Sequence, residues 1–84
     1  LDIINKLGLH ARAATKLAST ANKYTSDIKV SFHGKEIDGK SIMALMLLAA
    51  AKGSSINVRI EGSDEEEAMQ AIAELVADRF GEPE

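Results

Sequence analysis

Cysteine is absent from all 84 residues, so neither a disulfide framework nor a thiolate zinc site can hold the fold together. Stability has to come from packing. Aromatic residues make up only 4% of the chain and the net charge is -3, which argues against a general nucleic-acid binder, a function that wants a basic face and often stacking rings. The longest strongly apolar run, Ile42 to Ala51, is too short to cross a bilayer, and no signal-peptide pattern opens the chain. Linkers, repeats and low-complexity stretches are also missing from the sequence, apart from the terminal "GEPE", which reads as a frayed tail. These absences predict one small domain over residues 1–84, cytoplasmic and not inserted in a membrane, near the lower size limit for folding alone.

What the chain does have is two clear hydrophobic periods. Leu1 and Ile3, with Asp2 between them, read as the end of a first strand whose earlier residues lie ahead of Leu1, and Asn5 to Gly8 supply turn chemistry. Ala14, Leu17, Ala18 and Ala21 share one face of a helix, a stripe of small residues able to lie close to a sheet. Ile28, Val30 and Phe32 alternate with polar residues, and His33-Gly34 turns that strand into a short partner around Glu36 to Asp38. "GKSIMALMLLAAAKG" predicts a second helix capped by Ser41 and followed by Gly53. Ile56, Val58 and Ile60 alternate again. Ser63 with Glu66 three places on is a capping-box signature for a last helix, whose stripe is Met69, Ile72, Leu75, Val76 and Phe80. The expected order is βαββαβα, an α+β two-layer domain with the helices on a single face of a mixed or antiparallel sheet.

Within "GLHARAATKLAS", His10 falls at or beside the start of the first helix. The first-turn N–H groups have no intrahelical partner and the dipole end is positive. A neutral imidazole with a free lone pair is favoured there, and an anion joined to that nitrogen meets donors already pointing at it. Arg12 adds a guanidinium whose fork suits phosphate oxygens. Together they describe a site for a phosphorylated histidine, although a tolerated polar residue beside an ordinary surface charge would look the same. His33 sits on the hairpin tip and reads as a solvated turn residue. Metal binding through His10 and His33 would lack further ligands, and the acidic run Asp64 to Glu67 is explained by the helix start.

"NKLGLHARAATKLA" resembles the active-site segment of the HPr family, the histidine phosphocarriers of the bacterial phosphotransferase system, and "GKSIMALMLLAAAKGSSI" resembles that family's second helix and following loop. The likeness spans nearly the whole chain. It implies an open-faced sandwich with a four-stranded antiparallel sheet of order 1-4-2-3 and three helices on one face. It also implies that His10 takes a phosphoryl group on Nδ1, with Arg12 beside it, from phosphorylated Enzyme I charged by phosphoenolpyruvate. From there the group passes to an enzyme IIA domain, with no bound cofactor or metal. One departure is visible: Ala13 stands where members usually carry proline, so the helical conformation rests on propensity instead of a fixed φ.

In some members the serine matching Ser41 is phosphorylated by an ATP-dependent HPr kinase/phosphorylase, and a phosphate is tolerated at a helix start. Lys16 and Lys40 are candidates for a basic rim toward acidic partners. Ile42, Met43 and Met46 are candidates for an apolar docking face, with at least one of them expected to pack inward. The alternative is a regulatory interaction module of the same fold, in the nitrogen-related branch or as a transcriptional co-regulator. Small size and a carrier role imply a monomer that forms transient complexes.

Overall fold

Residues 1–5, 7–48 and 53–82 are described by the computed structural model. Helix α1 (Ala11–Ala21) buries Ala13, Ala14, Leu17, Ala18 and Ala21, the small-residue stripe read from the sequence. Methyl-sized side chains let the backbone approach the sheet closely. The sheet comprises β1 (Asp27–Phe32), β2 (Lys35–Asp38) and β3 (Asn57–Glu61) in the order β2-β1-β3, all pairs antiparallel. Val30 is opposite Ile37 on one side and Val58 on the other, which places the alternating apolar side chains on one face. His33 and Gly34 connect β1 to β2 with φ of 51° and 79°, the doubly left-handed pair that a two-residue hairpin demands.

The first of the four expected strands is present as an edge segment. Asp2 bridges Ser55 in antiparallel sense, and Ile3 and Gly53 extend the pairing through bonds of 2.8 Å from Ile3 N–H to the Ser54 carbonyl and from Gly53 N–H to the Ile3 carbonyl. The segment still lies beyond β3, so the order along the sheet is the expected 1-4-2-3.

Helix α2 (Ile42–Leu48) directs Leu45 and Leu48 into the core, and the rest of its predicted extent, residues 49–52, lies outside the described residues. Helix α3 (Glu65–Ala77) buries Ala68, Ile72 and Val76, with Met69 and Leu75 packed against that core. The helices cover one face of the sheet, closing the two-layer sandwich around Leu17, Ile28, Val30, Leu45, Ile72 and Phe80.

Two details differ from expectation. Ser63 forms no capping box: the N-cap is Asp64, whose carboxylate leaves its own helix uncapped. It accepts instead from the backbone N–H groups of Thr25 and Ser26, both at 2.9 Å, and from their hydroxyls. Those four donors, led by the Ser26 hydroxyl and the Thr25 N–H, outweigh the desolvation of the carboxyl and hold its pKa at about 2. Phe80 is buried as expected, yet outside the helix. After Ala77 the chain passes through Arg79, Phe80 and Gly81 with φ of 55°, 55° and 77°. Left-handed backbone costs roughly 1–2 kcal/mol at each of the two non-glycine residues. Complete burial of Phe80, worth about 3 kcal/mol, is the size of term that offsets it. This turn reverses the chain and carries Glu82 back across the start of α1.

Candidate functional site

Gly8 and Leu9 are buried and lead directly into α1, for which His10 is the N-cap. The His10 backbone is extended (φ -82°, ψ -176°), and its carbonyl takes the Ala14 N–H at 2.8 Å as the first helical bond. Its side chain performs the capping. Nδ1 accepts the Arg12 N–H at 3.3 Å, a long bond that leaves the lone pair weakly engaged. On the other side of the ring, Nε2 lies 2.6 Å from Glu82 Oε2.

These two contacts define the ring's proton. Partial burial raises the Glu82 carboxyl, but hydrogen bonds from His10 and Asn5, the charge of His10 when the ring is protonated and the charge of Arg12 overcome it, so the group titrates below its ordinary value. An ionised carboxylate only accepts, so the hydrogen is on Nε2; Nδ1, which accepts an N–H, carries the lone pair. The imidazole is therefore presented at the positive end of α1 with Nδ1 as its open nitrogen. Its side chain is 28% exposed and that of Glu82 only 9%.

Asn5 completes the cluster. It is fully buried, and its Nδ2 donates to the Gly8 carbonyl at 2.8 Å and to Glu82 Oε1 at 2.6 Å. One amide thus ties the turn before His10 to the carboxylate behind it. From the sequence, Asn5 reads only as turn chemistry and Glu82 as part of a frayed "GEPE" tail. Gly81 and Glu82 are instead held on the site, whereas Pro83 and Glu84 lie outside the described residues. The buried stripe reaching Phe80, with a glycine directly after it, was the available signal.

The other candidates are spread more widely. Arg12 is exposed on the first turn of α1. Lys16, one turn further on, donates from Nζ to the Phe80 carbonyl at 2.7 Å, and Lys40 donates to the Tyr24 carbonyl at 2.8 Å. Ser41 caps α2 as expected, its Oγ accepting the Ala44 N–H at 3.2 Å. Ser41 is not brought to His10, however. Asn22, at the opposite end of α1, donates to the Lys40 carbonyl at 3.0 Å, so the start of α2 adjoins the end of α1, about 16 Å along an eleven-residue helix from His10. Ile42, Met43 and Met46 are all exposed, Met43 to 74%, because Leu45 and Leu48 occupy the inward positions; the inward packing expected of one of the three does not occur. Leu7 and Leu47, at 66% and 77%, are exposed as well. His33 is exposed on the hairpin, edge-on to Phe32. Among the described residues no group of three His, Asp or Glu side chains is placed to hold a metal ion, and no helix is long and apolar enough to cross a membrane.

A two-layer sandwich with its sheet open on one side and a histidine capping its first helix defines an HPr-like fold. Comparison with known proteins makes the assignment specific. The family model described as the phosphorylation site of the phosphotransferase-system HPr component matches residues 1–78. The phosphocarrier protein HPr of Cupriavidus necator is 52% identical over 82 residues, covering 98% of this chain and 92% of the relative. The crystal structure of HPr-C-His from Thermoanaerobacter tengcongensis superposes with a TM-score of 0.95 at 42% identity, covering 100% of this chain and 94% of that one. A crystal structure of an HPr dimer from the same organism matches with a TM-score of 0.83 at 43% identity, over 98% and 94% of the two chains. The chain belongs to the HPr family, the phosphocarriers of the phosphotransferase system.

Proposed function

We propose that the chain, acting as a single cytoplasmic domain over residues 1–84, takes a phosphoryl group onto His10 Nδ1 from phosphorylated Enzyme I and passes it to a histidine of an enzyme IIA domain. The observation that carries this reading is the pair of contacts the ring makes: Nε2 lies 2.6 Å from the Glu82 carboxylate, and Nδ1 takes the Arg12 N–H at 3.3 Å at a helix N-terminus. In the transfer the Nδ1 lone pair forms the N–P bond as the donor's bond to phosphorus breaks, its electron pair staying on the donor. Phosphoryl oxygens at Nδ1 meet the first-turn N–H groups of α1, and the Arg12 guanidinium adds charge from the same turn. No bound cofactor is needed, because the protein is itself the modified species.

Partners dock, in this reading, on the exposed Ile42, Met43 and Met46, with Lys16 and Lys40 contributing positive charge toward acidic surfaces. Phosphorylation of Ser41 by an HPr kinase/phosphorylase acts on that docking, since Ser41 lies about a helix length from His10. A purely regulatory module of the same fold would need neither an open Nδ1 nor a carboxylate on Nε2, which favours the carrier.

Mixing the protein with phosphoenolpyruvate and Enzyme I, then following intact mass and phosphorus NMR, tests the reading. The expected product carries one acid-labile phosphate with a phosphoramidate signal, and His10→Ala carries none. A phosphorylated His10→Ala variant would overturn the site, and an unmodified wild-type protein would overturn the carrier role.

A further inference from the structure

Glu82 reaches the ring from the opposite end of the chain, and the structure commits several groups to keeping it there. Its Oε2 takes the His10 Nε2 proton at 2.6 Å, while Oε1 takes an N–H from Asn5 at 2.6 Å. The Asn5 amide cannot be turned round: Nδ2 also donates to the Gly8 carbonyl, and a flipped amide would set its oxygen against both that carbonyl and a carboxylate. Its Oδ1 is meanwhile buried with no partner among the described residues, an unfavourable state accepted because the donor side is fully engaged. The carboxylate is thus fixed between a rigid amide and the imidazole.

When Nδ1 gives its lone pair to phosphorus with the proton still on Nε2, the ring takes up positive charge. A carboxylate already 2.6 Å away, its side chain 9% exposed, answers that charge without having to move. We infer, resting on the phosphocarrier reading, that Glu82, fixed by Asn5, is a positioning residue for His10: it retains the proton on Nε2, directs Nδ1 to the helix terminus, and compensates the charge the ring acquires during transfer. The balance is closed, because the N–P bond forms, the donor's bond to phosphorus breaks, and no proton leaves the ring.

The full chain and its Glu82→Ala and Glu82→Gln variants test this. Glu82 lies beyond α3 and outside the core, so truncating it leaves the sandwich to fold. In nitrogen-15 NMR the unphosphorylated wild-type protein shows a pyrrole-type Nε2 with a directly observable proton and a pyridine-type Nδ1. In Glu82→Ala that proton signal is lost to exchange with water. Glutamine, whose amide oxygen still accepts, restores it. In phosphorylation by Enzyme I, kcat falls roughly tenfold in Glu82→Gln, because glutamine restores orientation without charge, and further in Glu82→Ala, which loses both, with KM for Enzyme I unchanged. An Nε2 proton signal unchanged in Glu82→Ala, a wild-type kcat in that variant, or full recovery of kcat in Glu82→Gln would each overturn the inference. Failure of the wild-type protein to accept phosphate would strike the carrier reading alone, since the NMR arm needs no phosphoryl donor.

Discussion

The ammonium group of Lys16 donates to the main-chain carbonyl of Phe80 at 2.7 Å, tying the second turn of α1 to the left-handed turn that returns Glu82 to His10. A surface lysine on a helix adjoining a candidate site invites a reading as a partner contact. Here its charged head also satisfies a carbonyl at the one place, among the described residues, where the backbone runs through consecutive non-glycine residues at positive φ.

Replacing Lys16 by methionine keeps the aliphatic stem and removes that bond. The expected cost is about 1.5–3 kcal/mol, the range for a hydrogen bond to a charged group. The loss should be local. Hydrogen exchange should quicken at the Gly81 and Glu82 amides, bonded at 3.0 Å to the Asp78 and Arg79 carbonyls, and stay unchanged in β1. Uniform acceleration across the sheet would show that Lys16 supports the whole domain and not the turn.

Asp64 gives a pH dependence of definite sign. Its folded pKa of about 2 lies below the ordinary value of 3.8. A depressed carboxyl contributes stability that is fully present above the unfolded value and is lost as pH falls through the folded one. The wild-type protein should therefore lose this contribution between about pH 4 and pH 2. Asp64→Asn should be less stable at neutral pH, because a neutral amide cannot accept all four donors from Thr25 and Ser26, and its stability should fall less over the same acid range. Denaturant unfolding at pH 7, 4 and 2 measures both. Equal acid sensitivity in the two proteins would exclude Asp64 as its source.

How far the sequence carried differs between elements for physical reasons. The faces of α1, β1, β3 and α3 follow from alternation and helical spacing, because each buries one face against a shared core, and Ala14, Leu17, Ile28 and Ile72 fall where the period puts them. His10 as a cap was equally legible, being set by the residues on either side. Competition between equivalent local bonds was not. Asp64 could serve its own helix or the loop at Thr25, and only the assembled fold shows the loop winning. Glu82 was beyond reach for a related cause: its role depends on three successive left-handed residues, two of them types that rarely adopt that backbone. The distance from Ser41 to His10 is likewise a product of how α1 and α2 are joined and not of either helix alone.

In the proposed transfer Arg12 binds the phosphoryl group and does not accept it. It is exposed on the first turn of α1, so Arg12→Gln should change stability by no more than about 0.5 kcal/mol. The acceptor nitrogen remains. Transfer should slow by roughly 100-fold, the scale for removing one preorganised donor from a developing charge. Rapid-quench measurement of phosphate uptake from Enzyme I checks this, and wild-type kinetics would remove Arg12 from the mechanism.

Ser41 divides a structural role from a regulatory one. Its Oγ accepts the Ala44 N–H at 3.2 Å, and losing such a cap costs about 1 kcal/mol, so Ser41→Ala should lower the unfolding midpoint modestly. Because α1 separates it from His10 by about 16 Å, the same variant should accept phosphate from phosphoenolpyruvate and Enzyme I at the wild-type rate. Modification by an ATP-dependent kinase should disappear. Phosphoserine at this position should raise KM for Enzyme I and leave kcat nearly unchanged, because a charge there meets the docked partner and not the imidazole. A fall in kcat at constant KM would mean instead that the phosphate is felt at His10, through a displacement of α1 against α2.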